Sequence, residues 1–544
     1  MTKTMKTKNT LIRLIPFLLA ILILLPRLIS PQFGLMDDAR TLSQSQQFLN
    51  GDFSMSKDLQ AGRFRPIYWL YYTIIYLFAG YHPFWYFVGN LVLLFTLLIE
   101  IRLLIKRSGG AEWQILLASC LFLFSMPIIE NFYTLSKGEP LQLVLMLGAV
   151  LLLDPKPSGQ PKFPWAKGFL AAFFILLAIL VKETAIALLP LTVLWALYPT
   201  LSKNSDLKAS QKNNWGLVGA AALAVLAYFG LRQFGHATAL LGGNYTNRYL
   251  VDVGETLHKL LRWITQYAFY FHYTIPFILL WVGLIISKVP VEKNLKFQLF
   301  RWGIWWVLWF VIFIPWQYAE IYYLLPFAFG GAMLLGLTAP VFLTALKDSK
   351  PPARTVTLAL AILTGLLFLI TLPNYRTDLK TQLAFDQAND EIIAYVVEMA
   401  PQNATVLMNL QTSNEYFEKM DAYLKEHYQR EDINFQLLDN TRMETVNDQS
   451  EAIVIMPVID NQPTLTVRAG VEEFYQDIWN ETFLTATEGQ RLQLASFEDS
   501  FKLTNINLPI ILCKFGLHAG FCENPDPLFD FQTLTYGWKV YKIQ

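Results

Sequence analysis

Residues 11–40 read LIRLIPFLLAILILLPRLISPQFGLMDDAR, an apolar run followed shortly by two adjacent carboxylates. The apolar part covers about 19 residues, enough for a helix to cross a bilayer. The segment before it is basic, and Pro26-Arg27 lies near its end in place of a small-residue cleavage site. A secretory signal peptide has a shorter apolar core. The stretch therefore predicts an uncleaved transmembrane helix with Asp37 and Asp38 just beyond it.

The rest of the chain has the composition of a membrane protein. Of its 544 residues, 54% are hydrophobic and 16% are charged, whereas soluble domains carry about 25% charged residues. Hydropathy predicts about eleven spans. These predicted spans are residues 11–30, 84–105, 112–128, 139–153, 166–181, 184–200, 215–231, 264–287, 302–316, 321–345 and 355–373. The predicted fold class is a polytopic α-helical membrane protein with juxtamembrane helices in its first outer loop.

Basic residues recur after every second predicted span. They cluster at 102–107, 156–167, 203–212, 288–301 and 347–354. Cytoplasmic loops carry such an excess of Lys and Arg, so the N-terminus is predicted to be cytoplasmic and the C-terminus outside. This alternation holds only if the short apolar stretch 66–80 does not cross the membrane. We interpret 66–80, which is rich in Tyr and Trp, as an interfacial helix on the outer face.

The tail, residues 374–544, has a different pattern from the membrane region, 1–373. Helical spacing over 386–399 is followed by short strand-like segments at 405–408, 433–438 and 452–456, with a helical pattern at 415–427. Alternating strands and helices predict a small extracytoplasmic α/β domain. Cys513 and Cys522 flank a short loop there and are consistent either with a disulfide, which needs an oxidising compartment, or with two free thiols.

Charged residues that suit chemistry lie mainly in the predicted outer loops. Asp37 and Asp38 suit a general base or a divalent-cation site, or simply the solvated start of a helix. Arg63 and Arg65 suit a phosphate or lipid headgroups. Glu130 and Glu139 stand at the mouths of two spans. Lys182 and Glu183 separate two apolar runs near membrane depth, where ionisable groups are costly and usually functional.

The order of these elements resembles that of the GT-C class of integral-membrane glycosyltransferases, which includes protein O-mannosyltransferases, lipid A aminoarabinose transferases and oligosaccharyltransferases. Met36-Asp37-Asp38-Ala39-Arg40 is similar to an Asp-Glu-Ala-Arg-like motif of the first outer loop, with Asp for Glu. Gly51-Asp52 follows, and Arg65-Pro66-Ile67-Tyr68-Trp69 resembles a Lys-Pro-Pro-Leu-like element, with Arg for Lys and one Pro. Leu180-Val181-Lys182-Glu183 and Tyr322-Tyr323-Leu324-Leu325-Pro326 resemble two later motifs.

The resemblance implies transfer of a sugar from a polyprenyl-phosphate donor to an acceptor on the outer face, with inversion. It implies Asp37 as the general base, with Asp38 as its alternative. Lys182, Arg63 and Arg65 are then the expected phosphate ligands, and Glu139 is a candidate ligand for a divalent metal. The expected location is the inner membrane, and no nucleic-acid partner is expected.

Two other functions fit a membrane protein of this kind. A transporter or flippase of lipid-linked sugars would also carry charges within the membrane. It would not need an acidic motif outside the first span, and it often shows inverted repeats, which are not evident here. A non-catalytic anchor for the tail would not need so many spans.

Overall fold

The computed structural model describes most of the chain. The described residues are 2–34, 38–53, 58–59, 62–154, 165–201, 208–234, 252–254, 256, 281–282, 291–315, 321–348, 351–409, 420–438, 452–460, 484–485, 488–489, 491–506 and 529–543. Asp37, Cys513 and Cys522 lie outside these ranges, as does nearly all of the predicted span 264–287.

Helices dominate the described part up to residue 399. In chain order they are α1 (Thr2–Ile29), α2 (Asp38–Leu49), α3 (Pro66–Ala79), α4 (Pro83–Arg107), α5 (Glu112–Leu123), α6 (Met126–Phe132), α7 (Glu139–Leu153), α8 (Trp165–Val181), α9 (Leu188–Leu201), α10 (Lys208–Phe234), α11 (Lys293–Val311), α12 (Leu325–Asp348) and α13 (Pro351–Met399). Short 3₁₀ turns at Glu183–Ala187 and Ile321–Leu324 precede α9 and α12.

Four described helical segments are long and apolar enough to cross a membrane: Ile12–Ile29, Pro83–Arg107, Asn213–Gln233 and Ile321–Asp348. A fifth crossing is added if α5 and α6, which meet at a bend of 65°, form one broken span. Other apolar helices, such as α7 and α8, are shorter. The chain is thus a multi-pass helical membrane protein, but the count of eleven spans is not confirmed, because length and composition qualify fewer of the described helices.

The segment 66–80 is helical, as its sequence predicts. Pro66 occupies the first turn of α3, where its missing N–H costs nothing, and Gly80 ends the helix with a positive φ of 51°. Three residues later Pro83 begins α4 in the same way. The buried face of α3 includes Tyr68, Trp69 and Tyr72, and these rings hold it against the neighbouring first-loop helix and the segment around residue 136.

The helix α13 continues through the predicted domain boundary at residue 373. It runs without interruption for 49 residues and includes Pro373. At 1.5 Å per residue it is about 70 Å long, more than twice the thickness of a bilayer core. Its first part is the predicted last span, and its last part carries the polar residues that begin the tail.

The tail contains a five-stranded mixed sheet. Its strands are β1 (Thr405–Asn409), β2 (Asn434–Leu438), β3 (Ile453–Asp460), β4 (Arg491–Ile506) and β5 (Phe529–Ile543). They lie in the order β2-β1-β3-β5-β4, with β1 parallel to both β2 and β3 and with β5 antiparallel to β3 and β4. The first three strands match the predicted segments. Gly537 lets β5 approach β4 closely, since a Cβ there would lie 1.9 Å from the Phe497 carbonyl oxygen.

The sheet packs on α13 and, through it, on loops of the membrane region. Trp538 of β5 is fully buried and donates from Nε1 to Asn389 Oδ1 at 2.7 Å. One hydrophobic cluster contains Phe33 and Tyr86 together with Ile392 and Tyr423. The tail is therefore joined to the membrane region by a shared core.

Candidate functional site

The segment between α1 and α4 is organised around the buried carboxylate of Asp38. Its Oδ2 accepts the Gly34 backbone N–H at 2.5 Å, and its Oδ1 accepts the Ser136 hydroxyl at 2.7 Å. The side chain has no exposed surface. An Asp in the first turn of a helix is favoured by the free N–H groups and the dipole there. Asp38 thus joins the start of α2 to the loop between α6 and α7.

A hydroxyl network extends from Asp38 toward α3. Thr41 donates to Ser136 Oγ at 2.8 Å, and the Tyr68 hydroxyl donates to the Ser136 carbonyl oxygen at 2.9 Å. The opposite edge of this network is cationic, because the Arg65 guanidinium lies 4.7 Å from the centre of the Tyr68 ring. One tyrosine therefore separates Asp38 from the nearest predicted phosphate ligand.

Arg65 is held by Asp58, a residue that the sequence does not single out. Two guanidinium nitrogens of Arg65 donate to Asp58 at 2.8–3.2 Å, and Trp69 Nε1 donates to the same carboxylate at 2.7 Å. Arg40 completes the group at 3.2 Å. Burial alone would raise the pKa of Asp58, but the charges of Arg65 and Arg63 hold it below its ordinary value. Asp58 is therefore ionised and orients Arg65.

Lys182 forms an ion pair with Glu139 rather than with its neighbour Glu183. Glu183 instead accepts the Phe64 backbone N–H at 2.8 Å. The backbone at Lys182 is extended, with φ −157° and ψ 126°, and consecutive side chains on an extended backbone point to opposite sides. Glu183 thereby fixes the loop that carries Arg63 and Arg65, while Lys182 faces the start of α7.

Two tyrosines of the turn before α12 face the same lysine. Lys182 Nζ lies 4.1 Å from the ring centre of Tyr323 and 5.3 Å from that of Tyr322, and Lys137 Nζ lies 4.0 Å from Tyr322. Asn131 donates to the Tyr322 carbonyl oxygen at 3.0 Å, which holds this turn against α6. Lysine over a tyrosine ring is a favourable cation–π contact.

The three predicted phosphate ligands lie within electrostatic range of each other. Burial lowers the pKa of Lys182 to about 8, Glu139 opposes this shift, and the positive charges of Arg65 and Arg63 lower it further. Arg232, at the end of α10, donates to the Gly62 carbonyl oxygen at 2.8 Å and so holds the same loop. Residues from three separate segments thus form one basic site, which we call the cationic cluster: Arg63, Arg65, Lys137 and Lys182.

The structure places the other predicted site residues as follows. Asp38 lies beside the cationic cluster, and Asp37 falls outside the described residues. Glu139 lies inside the cluster, where it accepts the salt bridge from Lys182. Among the described residues no group of three or more His, Cys, Asp or Glu side chains is arranged to hold a metal ion. Glu130 accepts from Gln382 of α13 at 3.1 Å.

No protein-family model matches the chain, and no curated protein matches it in sequence. Solved structures do resemble it. They include ArnT from Cupriavidus metallidurans bound to undecaprenyl phosphate, at 11% identity and a TM-score of 0.47, with 84% of this chain and 93% of that chain covered. The apo oligosaccharyltransferase of Archaeoglobus fulgidus has 11% identity and a TM-score of 0.45, with coverage of 76% and 63%. Arabinofuranosyltransferase AftD from Mycobacteria has 13% identity and a TM-score of 0.42, with coverage of 99% and 40%.

These solved structures are glycosyltransferases of the GT-C class. That is the class that the sequence motifs resemble. This chain spans well under half of the AftD chain and slightly under two thirds of the oligosaccharyltransferase. Identities this low do not show an activity for this chain.

Proposed function

We propose that this chain transfers a sugar from a polyprenyl-phosphate donor to an acceptor at the outer face of the membrane. The observation that carries the proposal is the cationic cluster beside Asp38. Arg63, Arg65 and Lys182 come from loops more than 100 residues apart in sequence and act on one another electrostatically. Gathering like charges is unfavourable unless anions offset them. Asp58 and Glu139 offset two of the cations in the cluster, and a phosphate at the membrane surface would be a further anion that does so.

The donor phosphate is the natural ligand of this cluster. Arg65 is fixed by Asp58 and Trp69, so its guanidinium is oriented before a ligand arrives. Lys182 has a single carboxylate partner and a partly exposed side chain. Positive charge at this position stabilises the negative charge that grows on the phosphate as it leaves the sugar. The tyrosines over Lys182 provide a surface for the sugar or for the first isoprene units.

The chemical step requires a base. In the proposed reaction, the Asp37 carboxylate takes a proton from the acceptor hydroxyl or amine as that atom attacks the anomeric carbon. The bond from this carbon to the phosphate oxygen breaks, and its electrons remain on the polyprenyl phosphate. Asp38 acts as a positioning residue, since both of its oxygens accept hydrogen bonds and its side chain is buried. This favours Asp37 over Asp38 as the base.

The proposed orientation follows from the basic loops. The N-terminus is cytoplasmic, the cationic cluster and the tail face outward, and the protein resides in the inner membrane. Cysteine labelling of intact cells checks this: a cysteine placed within 440–450 should react and one within 203–212 should not. The reverse pattern would put the site on the wrong side for an outer-face reaction.

The direct test measures turnover by the purified protein in nanodiscs with a synthetic polyprenyl-phosphate sugar. Asp37→Asn keeps the shape and removes the basicity, so we expect turnover to fall by about 10²-fold or more, with donor binding kept. The matched control is Asp52→Asn, which alters a carboxylate of the same loop. Full turnover in both Asp37→Asn and Asp38→Asn would end this mechanism. Donor binding without transfer in the unmodified protein would favour a transporter.

A further inference from the structure

A second cleft lies between the membrane region and the tail, apart from the cationic cluster. It has a volume of about 290 Å³, close to the lower size of small-molecule sites. From the membrane region it is lined by Tyr81 and His82, between α3 and α4. From the tail it is lined by Asp390 of α13 and by the helical turn that carries Tyr423 and His427. Neither part of the chain forms this cleft alone.

The walls of the cleft are aromatic rings set nearly at right angles. Tyr81 and Tyr423 lie 6.0 Å apart at 77°, His82 and His427 lie 6.1 Å apart at 86°, and His427 and Tyr428 lie 4.8 Å apart at 83°. The two tyrosine rings at 81 and 423 are buried, whereas both histidines are exposed. The cleft is therefore lined by buried tyrosine rings and by histidines that remain in contact with solvent. We call this set of rings the aromatic box.

The charge that acts on this box is negative. Burial raises the pKa of Tyr423 and of Tyr428, and the carboxylate of Asp390 raises both further. Burial is also the largest cause of the raised pKa of Tyr81, and the carboxylate of Glu426 raises it further. Burial lowers the pKa of His427 below its ordinary value of 6.5, so this ring is neutral at pH 7 and adds no positive charge.

We infer that this cleft binds an organic ammonium group, with the cation against the faces of Tyr81, Tyr423 and Tyr428 and its charge offset by Asp390. Aromatic faces attract cations through their quadrupole, and perpendicular rings surround a cation from several sides. A neutral sugar would gain nothing from the carboxylate field, and a phosphate would be repelled by it. The ammonium group can belong to a lipid headgroup or to a free amine, and both have the same chemistry. The inference is independent of the proposed reaction.

The probe is choline, and its neutral isostere is 3,3-dimethyl-1-butanol. Calorimetric titration uses the full chain in phosphatidylglycerol nanodiscs. We expect choline to bind and the isostere to bind about tenfold more weakly or not at all. Asp390→Asn should weaken choline binding about tenfold, and Tyr428→Leu should weaken it several-fold while keeping the charge. The control is Glu398→Gln, an exposed carboxylate two turns further along the same helix, which should change nothing.

Equal binding of choline and its isostere would overturn the inference, as would undiminished choline binding in both Asp390→Asn and Tyr428→Leu. Absence of choline binding in the unmodified protein would overturn it as well.

Repeating the titration in phosphatidylcholine nanodiscs separates the two sources of the ammonium group, a lipid headgroup and a free amine. Competition by the lipid assigns the cleft to a headgroup, whereas unchanged choline affinity assigns it to a free amine. Since no sugar donor is present in any arm, failure here leaves the proposed transfer reaction untouched.

Discussion

Two ion pairs join distant parts of this chain, and they differ in what surrounds them. Arg27 of α1 pairs with Asp386 of α13, and neither side chain has any exposed surface. Lys182 pairs with Glu139, and 17% of the lysine side chain remains exposed. The first pair is closed on all sides, whereas the second opens onto Tyr322 and Tyr323 and lies close to two arginines. A closed pair suits a structural connection, and an open one suits a site that exchanges its partner for a ligand.

Arg27 is enclosed by the membrane region as well as by its acid. Its guanidinium lies 5.3 Å from the ring centre of Phe87 and 5.4 Å from that of Tyr133. Asp386 belongs to the part of α13 on which the sheet packs. The pair therefore holds the start of the tail against the membrane region, and it lies outside the cationic cluster.

The largest expected effect follows from breaking the closed pair. Arg27→Met leaves the buried carboxylate of Asp386 without its arginine, which costs about 3–5 kcal/mol of stability. Thermal unfolding of the purified protein measures the loss. The double variant Arg27→Met/Asp386→Asn removes both charges and should recover most of it. If the double variant were as unstable as the single one, the packing of Arg27 rather than its charge would be responsible.

The open pair should differ in its effect on ligand binding. Lys182→Met should weaken binding of polyprenyl phosphate about tenfold, since one cation is lost from the cluster. It should also lower the melting temperature, because the carboxylate of Glu139 is then buried without its partner. Combining it with Glu139→Gln removes the remaining buried charge and should restore stability without restoring binding. Lys425→Met is the control, because this lysine has an ion pair with Asp421 on the surface of the tail. Marked destabilisation with unchanged affinity would instead make Lys182 a structural residue like Arg27.

The sequence predicts part of this contrast. Lys182 stands out because it interrupts two apolar runs, and that argument needs no structure. The sequence does not show which acid pairs with this lysine. The adjacent Glu183 does not, because an extended backbone turns neighbouring side chains apart, and the actual partner, Glu139, lies 43 positions away. Asp58 gives no signal, because a lone acid in a polar loop resembles any other until Arg65 and Trp69 are placed around it.

The same limit applies to the larger architecture. The helix at 66–80, predicted from a short apolar run rich in Tyr and Trp, and the first three strands of the tail, predicted from their pattern, are confirmed as a helix and as strands. The interfacial position of that helix stays a prediction. The number of spans is not confirmed, because helices such as α7 are too short for composition alone to decide whether they cross. The continuity of α13 was also missed. Hydropathy registers the change from apolar to polar residues near 373, whereas the helix depends on backbone hydrogen bonds that continue across it.

The smallest expected effect is on pH dependence. For Lys182, ligand affinity and protein stability should change in opposite directions as the pH rises. The pKa of Lys182 is about 8, below its ordinary value of 10.5. As pH rises through 8 the ammonium loses its proton, so affinity for polyprenyl phosphate should fall between pH 7 and 9. The fall should be smaller than the roughly tenfold loss in Lys182→Met, because a neutral amine still donates hydrogen bonds.

Stability should respond to the same titration in the opposite direction. Between pH 8 and 10.5 the unfolded lysine holds a proton that the folded one has released, so unfolding takes up a proton and the contribution of Lys182 to stability rises with pH. Lys182→Arg keeps its charge throughout this range and should abolish both trends. Binding and melting temperature measured on the same samples at pH 7, 8 and 9 give the comparison. If the two quantities fell together, the titrating group would be one that stabilises the fold in its charged form, and Lys182 would not be the lysine that binds the phosphate.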